Sequence, residues 1–181
     1  GVRISCDLNY RNKLWTKEQA GEVMSELMPY VDVCIANEED AADVFGIRAE
    51  NTDINNGKLD KNGYISVARQ LKSRFNLEKV AITLRTSLSA SVNKWSALLY
   101  DGQAYFSKEY TIQIVDRVGG GDSFGGALIY ALMQQYGGQK AIEFAAAASC
   151  LKHTIEEDFN LVSVKEINNL AEGNASGRVQ R

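Results

Sequence analysis

The chain has 181 residues, with 45% hydrophobic and 24% charged, which suits one compact globular domain with its own core. A net charge of -3 gives no electrostatic case for nucleic acid or an anionic membrane, and no apolar run approaches the roughly 20 residues that span a bilayer. No secretory leader is visible in the sequence. The three cysteines, Cys6, Cys34 and Cys150, sit in apolar runs without metal-ligand spacing, so buried free thiols in a reducing cytosol are expected. A single histidine, His153, disfavours histidine-based metal sites and triads.

Val2–Leu8 reads as a buried strand that ends in Asp7-Leu8-Asn9-Tyr10-Arg11. The chain opens inside this strand pattern without Met, so a preceding segment is expected. Thr16 and Gln19 have capping-box spacing, and Ala20, Val23, Met24, Leu27 and Met28 recur at helical intervals up to Pro29. Val31–Ala36 is a second apolar strand, ending in Asn37-Glu38-Glu39-Asp40. Ala41–Phe45 is a helical turn stopped by Gly46. Arg48–Asn62 is polar and reads as a loop, and Tyr64–Phe75 is an amphipathic helix. Val80–Leu84 is a third buried strand that ends at Thr83-Leu84-Arg85. Ser87–Ser107 alternates around Asp101-Gly102 and predicts an antiparallel hairpin excursion.

Tyr110–Val115 predicts a strand that runs into Asp116 and the triplet Gly119-Gly120-Gly121. Phe124–Tyr136 predicts a helix buried all round with Gly137-Gly138 as its stop, and Ala141–Leu151 a second, alanine-rich helix. Lys152–Leu161 reads as a polar turn, Val164–Ala171 as a final helix, and residues 172–181 as a frayed tail. Strands alternating with helices imply an α/β fold with a mostly parallel sheet.

The polar clusters Asp7–Arg11, Asn37–Asp40, Thr83–Arg85 and Asp116–Asp122 all follow strands, and a parallel sheet brings such ends to one edge, where ligands bind. Each cluster alone reads as a solvated loop; four on one edge, one of them a glycine cradle, point to a ligand cleft. The glycine triplet lets successive backbone N–H groups point at one place, and the helix after it adds its positive pole, which suits a phosphate. The alternative is a turn that merely admits close strand–helix packing. Asp122 at its end could accept a proton from a hydroxyl. Arg11 is either a bidentate clamp for a carboxylate or phosphate, or a surface charge. Asn37–Asp40 either holds a magnesium ion through water or caps a helix. Neither a P-loop nor a Gly-x-Gly-x-x-Gly fingerprint is present.

Asp116, Gly119-Gly120-Gly121-Asp122 and Ser123-Phe124 together resemble the C-terminal signature of the ribokinase-like (phosphofructokinase-B type) carbohydrate kinases. Asp7-Leu8-Asn9-Tyr10-Arg11, Asp116-Arg117 and Leu151-Lys152-His153-Thr154 with Asp158 make the resemblance closest to the 2-keto-3-deoxygluconate kinases. It covers nearly the whole chain, but only the C-terminal half of the family's length. It implies a three-layer, Rossmann-like nucleotide-binding domain over residues 1–181, an ATP and Mg²⁺ requirement, and phosphorylation of a primary hydroxyl of 2-keto-3-deoxygluconate in the cytoplasm. Asp122 would be the base, and Gly119, Gly120 and Gly121 the anion hole. Arg11 and Asp158, with Asp122, would bind the sugar acid. Asn9, Thr83, Leu84 and Arg85, with Gly119 and Gly121, would bind the nucleotide, and Asn37 and Asp40 would act on the metal through water.

Five positions depart from the family pattern. Gly120 stands where alanine is common, Arg117 where a hydroxyl residue follows the first aspartate, and Asp40 where glutamate is usual. Arg85 and Glu157 each stand in place of a glycine. A kinase for a neutral sugar such as fructose or ribose, and a nucleotide-binding module without catalysis, remain alternatives. The family's other half carries a β-sheet lid through which homo-oligomers could form. Without it water is not excluded, so the isolated polypeptide is expected to be weakly active.

Overall fold

The computed structural model describes residues 1–37, 39–48 and 61–173. Glu38, most of the polar loop expected over 48–62, and the tail from 174 onward therefore lie outside the described residues. The elements are β1 (Ser5–Asp7), α1 (Lys17–Leu27), a 3-10 turn (Met28–Tyr30), β2 (Val33–Asn37), α2 (Asp40–Phe45) and α3 (Lys61–Phe75). Then follow β3 (Lys79–Ser87), β4 (Val92–Tyr100), β5 (Ala104–Phe106), β6 (Tyr110–Gln113), α4 (Gly120–Met133), α5 (Gly138–Lys152) and α6 (Val164–Glu172). The sheet order is β1-β2-β3-β4-β5, with β6 also on β4. The expected α/β fold is observed: parallel pairing through β1, β2 and β3, then an antiparallel β4–β6 pair. The chain divides into two compact units, Gly1–Leu84 with Leu98–Tyr105, and Arg85–Ala97 with Phe106–Arg181.

In the first unit, β2 is buried along Val33–Ala36, as its unbroken apolar run requires. Its register places Asp7 opposite Ile35 and Asn37 opposite Thr83. β1 departs from expectation. It has only three paired residues, lies at the sheet edge, and leaves Val2 91% and Ile4 45% exposed. An apolar run signals extended backbone, but cannot say which face is covered.

The capping box forms: Thr16 accepts from the Gln19 N–H, and Gln19 accepts from the Thr16 N–H. It aligns α1 so that Ala20 and Met24 are buried, while Val23 and Leu27 remain exposed. Gly46 ends α2 at φ 68°, as expected of a left-handed helix stop. Lys61 and Asn62 belong to α3 rather than to the loop. Phe75 of α3 packs on Phe45 with ring centroids 4.7 Å apart, and the Arg74 guanidinium lies over both rings. The β4–β5 connection turns at Gly102, with φ 121°, confirming the Asp101-Gly102 signal.

In the second unit, Trp95, Ile112 and Cys150 form a small core between β4, β6 and α5. α5 is buried along nearly its whole length, because Ala145–Ala148 and Ser149 allow close contact on several sides. α4 is one-sided, contrary to the all-round burial expected: Phe124, Leu128 and Ala131 face inward, while Met133 is 74% exposed. Gly137-Gly138 is also not the stop of α4. The chain reverses at Gln135, with φ 57°, and Gly137 is the N-cap of α5. Ser163 and Glu166 form a second capping box that starts α6.

All three cysteines are free thiols. Burial raises each thiol above its ordinary value, Cys150 to about 11. Among the described residues no helix is long and apolar enough to cross a membrane.

Removing the α1 cap by Thr16→Ala should cost about 1 kcal/mol in a denaturant titration, the usual worth of an N-cap hydroxyl. An unchanged midpoint would show that α1 does not depend on the box.

Candidate functional site

The second unit contains the glycine turn. After β6 the chain is pinned by backbone bonds: the N–H groups of Val115 and Asp116 both donate to the His153 carbonyl, at 2.8 and 3.3 Å. The Asp116 carboxylate then closes the loop, accepting from Val118 N–H through one oxygen and from Glu157 N–H through the other. These bonds, Val118 foremost, with the nearby Lys152 charge, hold the carboxyl below the usual carboxylate range. Glu157 adopts φ 64°, left-handed backbone in the place where the family pattern carries glycine.

The three glycines have three different environments. Gly119 has φ 74°, and a Cβ there would lie 2.4 Å from the Asp158 carbonyl oxygen. At Gly120 a Cβ would lie 2.5 Å from Cε1 of the His153 ring. At Gly121 nothing lies within 4 Å of the Cβ position. Gly119 and Gly120 are therefore required by packing, whereas Gly121 faces open space. The methyl lost at Gly120 relative to the family's alanine is the room His153 uses.

His153 is 5% exposed and packs on Trp95 at 4.8 Å between ring centroids. Its Nδ1 lies 2.7 Å from the Ser149 carbonyl, which can only accept, so Nδ1 carries the proton and Nε2 the lone pair. The Ser149 hydroxyl in turn donates to the Gly120 carbonyl at 2.7 Å. Burial holds the imidazole below its ordinary value, reinforced by the charges of Lys152, Arg117 and Arg85 and opposed by the Ser149 bond.

The Gly120 N–H bends back to the Arg117 carbonyl at 3.4 Å, and Ser123 N–H bonds to Gly119. The N–H groups of Gly121 and Asp122 have no acceptor among the described residues. They stand in the first turn of a 14-residue helix, beside the open space over Gly121. Two such donors at a helix pole, facing open space, suit an anion. The Asp122 side chain is exposed and makes no hydrogen bond or ion pair among the described residues. Asp158 is exposed and packs its backbone against Gly119, while Arg85 is exposed on β3.

The first unit gathers a second cluster. Asp40 is only 4% exposed; one carboxylate oxygen accepts from Tyr10 N–H and the other from Asn37 N–H. It thereby ties the exit of β1 to the exit of β2. The Asn37 side-chain oxygen accepts from both Glu39 and Asp40 N–H, so it caps the start of α2. These oxygens already serve the backbone, and among the described residues no three His, Cys, Asp or Glu side chains gather as metal ligands. Neither Asn37 nor Asp40 fits the part of a direct magnesium ligand.

Asn9 sits at φ 39°, and Arg11 is exposed, donating to the Tyr10 carbonyl at 2.9 Å. Thr83 and Leu84 do not end their strand: β3 continues to Ser87, Leu84 is buried, and the Thr83 hydroxyl is 3.5 Å from the Ala36 carbonyl. Ser149, Lys152 and His153 stand outside the site residues expected from the sequence, and the fold brings them to the glycine turn. The signal available was a lone histidine together with a glycine in alanine's place.

Residues 2–157 match the family described as pfkB family carbohydrate kinase. The chain belongs to the pfkB family of carbohydrate kinases. It is 29% identical over 177 residues to the 2-dehydro-3-deoxygalactonokinase of Haloferax volcanii, covering 98% of this chain and 49% of that protein. The crystal structure of 2-dehydro-3-deoxygluconokinase from Thermotoga maritima superposes with a TM-score of 0.89 at 52% identity, over 96% of this chain and 51% of that one. A pfkB family carbohydrate kinase from Listeria grayi gives a TM-score of 0.82 at 36% identity, over 95% and 51%. The chain thus spans about half the length of the relatives it matches.

The lowered His153 value fixes the sign of a pH effect. Above the ordinary value of 6.5 the ring is neutral folded and unfolded. Below it the unfolded chain takes a proton that the buried ring refuses, so stability falls as pH drops. The stability of the wild type relative to His153→Gln should be constant above pH 6.5 and decline below it. A difference that grows on acidification would contradict this.

Proposed function

We propose that the intact protein transfers the γ-phosphoryl group of ATP, taken up as its magnesium complex, to a primary hydroxyl of 2-keto-3-deoxygluconate. The observation that carries this reading is the uncommitted Asp122 carboxylate beside two unpaired N–H groups and open space at Gly121. Asp122 accepts the proton of the sugar hydroxyl, whose oxygen forms a bond to the γ-phosphorus. The bond from that phosphorus to the bridging oxygen breaks, and ADP leaves with the electron pair. The Gly121 and Asp122 N–H groups, with the glycine turn around them, stabilise the charge on the moving phosphoryl.

Sugar acid is favoured over neutral sugar by the names of the relatives and by the chemistry of arginine. The guanidinium of Arg11 is exposed and, among the described residues, bound only to its neighbour's carbonyl, which leaves donors for a carboxylate. Asp158 assists in holding the sugar hydroxyls. Asn9, Thr83, Leu84 and Arg85 serve the nucleotide, and Asn37 and Asp40 act on its magnesium only through water. The free thiols suit a reducing compartment, and the enzyme acts in the cytoplasm.

ATP consumption by the intact protein should be at least about tenfold more efficient with 2-keto-3-deoxygluconate than with fructose or ribose, the scale of one missing charge-assisted contact. Equal efficiency on all three would remove the sugar-acid claim, and no consumption with any of them would favour a binding module. Asp122→Asn should lower turnover by roughly 10²–10⁴-fold, as loss of a general base does. Wild-type turnover in that variant would remove Asp122 from the role.

A further inference from the structure

Lys152, the last residue of α5, is fully buried at 0% exposure. Its Nζ donates to the Ile155 carbonyl at 3.1 Å, and among the described residues no carboxylate lies at ion-pair distance from it. Burying an ammonium with one carbonyl partner is costly, and a lysine that merely closed the end of a helix could do so from the surface. The residue it holds, Ile155, opens the turn whose next residues carry the two contacts around the glycines. Glu157 N–H binds Asp116, and the Asp158 carbonyl fills the Cβ position of Gly119. The residue after Lys152 is His153, whose ring fills the Cβ position of Gly120. The Lys152 charge acts on both Asp116 and His153. Arg117 and Arg85, the other cations that act on His153, are both exposed to solvent, where screening weakens them, and Arg117 is tied to the Ala90 carbonyl at 2.9 Å.

We propose that Lys152 is a positioning residue whose buried ammonium acts as a fixed internal cation behind the glycine turn, raising its affinity for a phosphoryl anion and holding the 155–158 turn against Gly119. The role rests on the phosphoryl-transfer reading, but its anion chemistry can be measured without sugar or ATP. A charge held out of water is screened little, so it strengthens an anion site nearby while Asp116 opposes it. Lys152 does not itself touch the substrate.

The test is a titration of the intact protein with inorganic phosphate, followed through the backbone amide signals of Gly121 and Asp122. Lys152→Gln keeps a donor for the Ile155 carbonyl and loses the charge. Lys152→Met fills a similar volume and removes the cost of burying the charge, which offsets the lost donor to Ile155 and keeps a folded variant available where the glutamine does not fold. Both should weaken phosphate binding by about tenfold or more, a change expected from removing one weakly screened charge, while the glutamine, which keeps the donor to Ile155, holds the melting temperature near that of the wild type. Turnover should fall in parallel with little change in the KM for the sugar. Phosphate affinity equal to the wild type in either folded variant would overturn the proposal, as would a wild type that binds no phosphate at these amides. A wild type that binds phosphate in a Lys152-dependent way but phosphorylates no sugar would sink the functional reading and leave this one standing.

Discussion

Two missing methyl groups organise the second unit. The Asp158 carbonyl and the His153 ring stand where Cβ atoms of Gly119 and Gly120 would be. A real Cβ at 2.4–2.5 Å from either is not tolerated, so the turn before α4 exists only because these two residues lack side chains. The third glycine is different in kind. Among the described residues nothing lies within 4 Å of a Cβ at Gly121, and there the helix presents N–H groups without an acceptor. Packing thus uses two glycines to position the third. The arrangement draws on distant chain segments: Asp116 follows β6, while His153 and Asp158 follow α5.

The supports of the turn are hydrogen bonds between polar groups that would otherwise be costly to bury. Ser149 accepts through its carbonyl from His153 Nδ1 and donates through its hydroxyl to the Gly120 carbonyl. Two bonds from one residue of α5 therefore orient both the imidazole and the first turn of α4. Keeping the ring neutral is part of the same arrangement, because a protonated imidazole has no acceptor for its second N–H among these contacts. In the first unit Asp40 serves similarly, a buried carboxylate whose two oxygens tie the exits of two parallel strands. Such carboxylates fix a loop frame, whereas Asp122 is exposed and makes no hydrogen bond or ion pair among the described residues.

The sequence disclosed features whose cause is local. The Thr16–Gln19 box, the stop at Gly46 and the turn at Gly102 depend on residues within four positions of each other, and all are observed. The glycine triplet followed by Asp122 was legible for the same reason. Features decided by distant neighbours were not. β3 runs on to Ser87 past Arg85, with a partner strand rather than polarity setting its end. α4 exposes Met133 because α5 covers one side of it. Gly137-Gly138 reads equally as the end of one helix or the start of the next, and the reversal falls earlier, at Gln135. His153 and Gly120 are 33 positions apart, and only the folded chain shows that one fills the space the other leaves.

A stability cycle tests the His153–Gly120 pairing directly. Gly120→Ala should be strongly destabilising in the wild type, by about 2 kcal/mol or more for a methyl forced into a packed ring. In a His153→Ala background, where the ring is gone, the same substitution should cost a few tenths of a kcal/mol or less, giving a large coupling between the sites. An equal cost in both backgrounds would contradict the claim that the glycine turn is shaped by His153.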